Sequence, residues 1–123
     1  MLVKIDTREK FHVITIQEPV LAANMTEKMD KAVLPLLDDN VKNVIINMKD
    51  IKIIDSAAAE HLLKLQHTFY DMRCSFVVCE FQAEVKKALT SSDMLEKLNY
   101  TPTESEAMDI VQMEEIEREF DEI

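Results

Sequence analysis

The unbroken β-branched run Val44-Ile45-Ile46-Asn47-Met48 constrains the fold of this chain more than any other segment. It is too short for a buried helix. Its lack of alternation leaves no face for water, so it reads as a central strand covered on both sides. Ser75-Phe76-Val77-Val78-Cys79 repeats the pattern. Between the two lies a helical stretch from Ala57 to about Met72. Ala59, Leu62, Leu63, Leu65, Phe69 and Tyr70 face inward on it, and Glu60, Lys64, His67 and Asp71 outward. Strand, helix, strand in this order implies parallel neighbours joined by a crossover.

The remaining segments fit around that unit. Val3–Ile5 and Phe11–Ile16, separated by the polar Asp6-Thr7-Arg8-Glu9-Lys10, predict an antiparallel hairpin. Asn24 with Glu27 three residues on has the form of a capping box. It predicts a helix to about Leu37 with Met25, Met29, Val33 and Leu36/Leu37 as its apolar stripe and a distortion at Pro35. Ala83–Leu89 reads as a helix, 91–98 as a further short helical piece, and 98–100 as a short edge strand. Thr103 with Glu106 forms a second capping box. After it Ala107, Ile110, Met113, Ile116, Phe120 and Ile123 keep a 3–4 spacing, a stripe that needs its own sheet or another chain to cover it. The expected fold class is α/β: a single domain over 1–123 with a mixed sheet of four to five strands, an N-terminal antiparallel hairpin and about four helices packed on it. Residues 103–123 form an acidic amphipathic helix.

Composition excludes several functions. The formal net charge is −10, and residues 103–123 hold nine acids against Arg118 alone. A chain with no basic stripe is a poor ligand for nucleic acid or an anionic membrane, because phosphate contacts need Lys and Arg. No apolar run approaches the ~20 residues of a membrane helix, and Met1-Leu2-Val3-Lys4-Ile5-Asp6 does not form a signal peptide, so the expected compartment is the cytoplasm. The chain has no glycine. It therefore lacks the GxGxxG and P-loop segments that bring backbone against a nucleotide's phosphates, and it must turn with Asn, Asp, Pro or Ser. Cys74 and Cys79 fall in one strand, about 16 Å apart at ~3.3 Å per residue and on opposite faces, beyond bridging distance. His12, His61 and His67 have no metal-ligand spacing. No cofactor and no metal are expected. Thr90, Ser91 and Ser92 read as a helix boundary.

Asp55-Ser56 is the pair with most chemical content. It ends the segment Ile51-Lys52-Ile53-Ile54 and opens the long helix, which places one hydroxyl beside the free N–H groups of a helix start. A serine there can cap the helix, bind an anion or carry a phosphate. Nucleophilic catalysis fits poorly: Asp55 and Ser56 are adjacent, His61 lies five residues into the helix, and no glycine flanks the serine to make a nucleophile elbow. One of Asp55 and Ser56 is the N-cap. No enzymatic activity is expected.

The order hairpin, helix, strand, Asp-Ser, helix, strand, helix resembles the STAS domain, the family named for sulphate transporters and anti-sigma factor antagonists. The most specific similarity is Asn47-Met48-Lys49-Asp50-Ile51-Lys52-Ile53-Ile54-Asp55-Ser56; Glu84-Val85-Lys86-Lys87-Ala88-Leu89 and Glu106-Ala107-Met108 are weaker matches. The resemblance to anti-sigma factor antagonists implies that Ser56 is a phospho-acceptor. It implies a protein partner that is both anti-sigma factor and serine kinase, bound through Asp55, Ser56, Ala57, Ala58 and Glu60. The chain departs from the family where Ser/Thr-Gly usually follows the serine, carrying Ala57-Ala58-Ala59-Glu60 instead. Pro19-Val20-Leu21-Ala22 stands where the family has Gly-x-Leu-Asp. The Ala57-Ala58-Ala59-Glu60 departure, together with the acidic C-terminal helix as a docking surface, favours an alternative reading: a phosphorylation-independent STAS subunit or scaffold of a larger complex, such as a transport ATPase. Homodimer and complex subunit both stay open as oligomeric states.

Overall fold

The computed structural model describes residues 1–121. Its elements are β1 (Val3–Thr7), β2 (Phe11–Ile16), β3 (Val20–Leu21), α1 (Thr26–Val33), β4 (Asn43–Asn47), β5 (Ile53–Ile54), α2 (Ser56–Asp71), β6 (Phe76–Cys79), α3 (Ala83–Ser91), β7 (Tyr100–Thr101) and α4 (Glu104–Asp121). Five strands form one mixed sheet in the order β1-β2-β4-β6-β7, with β1 antiparallel to β2 and every other pair parallel. The expected single-domain α/β fold with its hairpin and four helices is the fold observed.

Alternation along the strands divides the core in two. Ile14, Ile16, Val44, Ile46, Phe76 and Val78 point to the side covered by α1, α2 and α3, where Met29, Leu62, Phe69, Val85 and Leu89 meet them. Phe11, Val13, Ile45, Val77 and Cys79 point to the other side, covered by Ala107 and Val111 of α4. All five residues of β4 are buried, as a middle strand between two helical layers requires. Cys74 and Cys79 are free thiols in the two different cores.

The structure corrects several local expectations. Asn24 and Glu27 make no capping box. The chain enters α1 through a 3-10 turn at Ala23–Met25, the N-cap is Met25 with no side-chain bond, and the helix gives way at Leu34–Asp38 to another 3-10 segment containing Pro35. Residues 92–98 are turns rather than a helix. Two-residue strands β3 and β5 pair in parallel as a separate small sheet, a feature too short to carry a pattern in sequence.

The apolar stripe expected to seat α4 is split. Ala107 is buried, but Met113, Ile116 and Phe120 are 53%, 54% and 70% exposed. The inward face beyond Val111 is polar instead. Glu114 accepts hydrogen bonds from Ser75 Oγ at 2.6 Å and Tyr70 OH at 2.7 Å. Glu115 accepts from Asn43 at 2.7 Å, and Arg118 donates to Asn43, Ser75 and Glu115 at 3.0–3.1 Å. Glu122 and Ile123, the last members of the expected helix and stripe, lie outside the described residues.

Without glycine, helix ends still need left-handed residues. Arg73 (φ 58°) follows α2, where Cys74 N–H donates to Phe69 O at 2.9 Å and Arg73 N–H to Tyr70 O at 3.0 Å. Asp93 (φ 60°) follows α3 with the same pair, Met94 N–H to Leu89 O and Asp93 N–H to Thr90 O. Both are Schellman closures in which a non-glycine residue takes the αL position.

Candidate functional site

The site is built where the carboxyl end of β4 delivers the chain to α2. After Asn47 the chain turns, with Ile51 N–H donating to Met48 O at 3.1 Å and the Ile51 side chain fully buried. The next residues lie along Pro19–Leu21. Pro19 has no N–H to contribute, yet its carbonyl accepts from both Lys52 N–H (2.7 Å) and Ile53 N–H (3.1 Å), and Leu21 O accepts from Asp55 N–H (3.1 Å). This small parallel sheet fixes the direction in which α2 starts.

Asp55 is the N-cap. It is extended (φ −91°, ψ 169°), and its Oδ1 accepts from Ala58 N–H at 2.8 Å while Oδ2 accepts from Ala23 N–H at 2.9 Å. These backbone donors, Ala58 first and then Ala23, hold its carboxyl below the usual carboxylate range, so it is charged at neutral pH. The cap position being filled by Asp55, Ser56 is the first helical residue. Ser56 is exposed, and its hydroxyl has no hydrogen-bond partner among the described residues. Ala57 and Glu60 are exposed beside it, with Glu60 one turn further along the same face.

Ala58, expected at this surface, is instead fully buried in the main core and presents no atoms to a partner. Two exposed apolar residues that sequence reasoning missed lie on the small sheet that leads into α2: Ile53, 61% exposed, and Val20, 40% exposed, paired with each other. The signal available is an isoleucine two residues before the capping Asp, in the short segment Ile51-Lys52-Ile53-Ile54.

His61 and His12 are engaged with other partners. His61 Nε2 lies 2.6 Å from Asp30 Oδ1 and makes no hydrogen bond to Ser56 among the described residues. His12 is buried, with Nδ1 2.8 Å from Thr7 Oγ1 and Nε2 2.7 Å from Val41 O. Among the described residues, no three His, Cys, Asp or Glu side chains group as metal ligands, and no helix is long and apolar enough to cross a membrane.

The β1-β2-β4-β6-β7 sheet order, with an antiparallel first pair and a long helix starting just after the short β5 strand, is that of a STAS-class domain. The chain belongs to the STAS domain family, whose sequence model matches residues 3–107. Similar solved structures include the anti-sigma factor antagonist SpoIIAA in its unphosphorylated form, 18% identical with a TM-score of 0.69 over 90% of this chain and 96% of that one. An anti-sigma-factor antagonist (STAS) domain protein from Planctomyces limnophilus is 16% identical, with a TM-score of 0.70 over 89% and 97%. The murine anion transporter Solute Carrier 26 family member A9 is 17% identical, with a TM-score of 0.69 over 84% of this chain but 18% of the transporter. At these identities the likeness is one of fold. No curated protein matches the chain in sequence.

Proposed function

We propose that this chain is a non-enzymatic, phosphorylation-switched interaction protein of the anti-sigma factor antagonist type, acting in the bacterial cytoplasm. Its partner is an anti-sigma factor that is also a serine kinase. The unmodified form binds that partner and frees the sigma factor for transcription; phosphate on Ser56 releases the partner. The observation that carries this reading is Ser56 itself: an exposed hydroxyl with no hydrogen-bond partner among the described residues, at a helix N-terminus, with Asp55 already occupying the cap.

The physics of such a switch is local. A phosphate adds roughly −1.5 to −2 charge at the positive end of α2, which accepts an anion without refolding. Against a partner carboxylate ~6 Å away, at an effective dielectric of ~20, each unit of charge contributes about 2–3 kcal/mol of repulsion. That is a loss of affinity on the order of tens- to a hundred-fold. Ile53 and Val20 supply the apolar anchor of the contact, and Asp55, Ala57 and Glu60 its rim. Incubation with the cognate serine kinase and ATP, read by mass spectrometry, is expected to place one phosphate on Ser56.

A second reading is favoured by the exposed apolar stripe of α4 and by Ala57-Ala58-Ala59-Glu60 after the serine: a phosphorylation-independent subunit or scaffold of a larger complex. A protein left unmodified by the kinase that still binds its partners selects it.

A further inference from the structure

Beyond the serine, α4 carries its residues in an inverted arrangement over its second half. Glu114, Glu115 and Arg118 point inward and are bonded to Tyr70, Ser75 and Asn43. Met113, Ile116 and Phe120 point outward, each more than half exposed. A helix that needed covering only by its own sheet would place these residues the other way round. The polar contacts grip the inner face at several points, so the outer face is held in one orientation before any partner arrives.

Met113, Ile116 and Phe120 stand at i, i+3 and i+7, the spacing by which a helix lays anchors into an apolar groove. Asp109, Glu117, Glu119 and Asp121 are exposed around them. The one cation of α4, Arg118, is turned inward onto Glu115, Asn43 and Ser75. A second copy would therefore bring two acidic rims together around one apolar seam with no exposed cation from either helix, a like-charge arrangement that opposes association. We infer that the outward face of α4 is a groove-inserting helix for another protein, one that offers an apolar groove rimmed by Lys and Arg.

This surface is separate from Ser56. α4 runs antiparallel to β4: Asn47 bonds Glu104 at the carboxyl end of that strand, and Asn43 bonds Glu115 at its amino end. The stripe thus lies toward the end of the sheet opposite Ser56, on the layer across from α2. It also lies outside the span matched by the family model, which ends at residue 107. The two surfaces can be occupied at once.

The test places a photo-cross-linking benzoylphenylalanine at position 120 of the full chain, expressed in its own cells. The adduct is identified by mass spectrometry, and the partner is then purified for affinity measurement. The inference expects a protein with a basic-rimmed apolar groove. Its affinity falls at least tenfold for the combined M113A, I116A and F120A variant and severalfold for combined E117K and E119K. It also weakens as salt rises from ~50 to ~300 mM. Because the three apolar side chains are exposed, the alanine variant keeps the melting temperature of the parent. Ser56→Ala leaves this affinity unchanged, which separates the result from the fate of the phosphorylation switch. Adducts only with a second copy, only with lipid or with nothing at all overturn the inference, as does a partner indifferent to both sets of substitutions.

Discussion

The carboxylate of Asp55 accepts the backbone N–H of Ala23 at 2.9 Å, across 32 positions of sequence, while its other oxygen caps α2 at Ala58. One side chain thereby ties the start of α2 to the turn that leads into α1. Asp55→Ala releases both amides. The expected result is faster hydrogen exchange at Ala23 and Ala58 and a melting temperature lower by about 4–8 °C. The acid side follows from the depressed carboxyl. Its stabilising contribution is full above the unfolded value of 3.8 and is lost as pH falls through the lower folded value. Asp55→Ala lacks that acid-dependent loss, which thermal melts from pH 5 to 2 measure.

Glycine at either left-handed helix end should stabilise the protein. Arg73 and Asp93 are exposed at φ 58° and 60°. An L-residue costs about 1–2 kcal/mol there, partly offset by the entropy glycine adds to the unfolded chain. Arg73→Gly is expected to raise stability by about 0.5–1 kcal/mol, read as a higher urea midpoint with unchanged slope. Asp93→Gly should gain less, since Asp tolerates αL better.

The polar clamp under α4 makes a sharper demand. Glu114→Ala leaves buried Ser75 Oγ and half-buried Tyr70 OH without their acceptor, at an expected cost of about 2–3 kcal/mol. Glu114→Gln retains an acceptor oxygen and should recover much of it. Its neighbour Glu115 is held below the usual carboxylate range by the hydrogen bond from Asn43 and then by Arg118, against burial. Its contribution is therefore present above 4.5 and lost as pH falls through its folded value, which NMR titration of the Glu115 carboxyl reads directly.

How far the sequence foretold this architecture depends on where a residue's partner lies. β4 and β6 were legible because a strand buried on both faces writes that fact into every one of its residues. The Asp55-Ser56 junction was legible because capping is local chemistry, although only the structure assigns the cap to Asp55. The Asn24/Glu27 box does not form because the chain enters through a 3-10 turn at Ala23–Met25, which puts the N-cap of α1 at Met25. The α4 stripe is expected to need cover, and of its described members only Ala107 is fully covered. Which face turns inward was decided by Asn43, Ser75 and Tyr70, whose meeting with Glu114, Glu115 and Arg118 is tertiary. Ala58 was expected at the surface because it is near Ser56 in sequence, but two residues along a helix is a different face.

Glu60 shares a helix face with Ser56 and adds a fixed negative charge there. Under the proposed switch it mimics part of the phosphorylated state. Glu60→Gln, which keeps the helix propensity, is expected to tighten partner binding severalfold in a calorimetric titration at low salt. Unchanged affinity counts against a charge role for this residue.

The most direct test of the switch is the affinity of the purified kinase-type partner for wild type, Ser56→Ala and Ser56→Asp, measured side by side. The account predicts that Ser56→Ala binds like the unmodified protein and that Ser56→Asp, like protein phosphorylated on Ser56, binds on the order of ten- to a hundredfold more weakly. Equal affinity for all of these forms would contradict it.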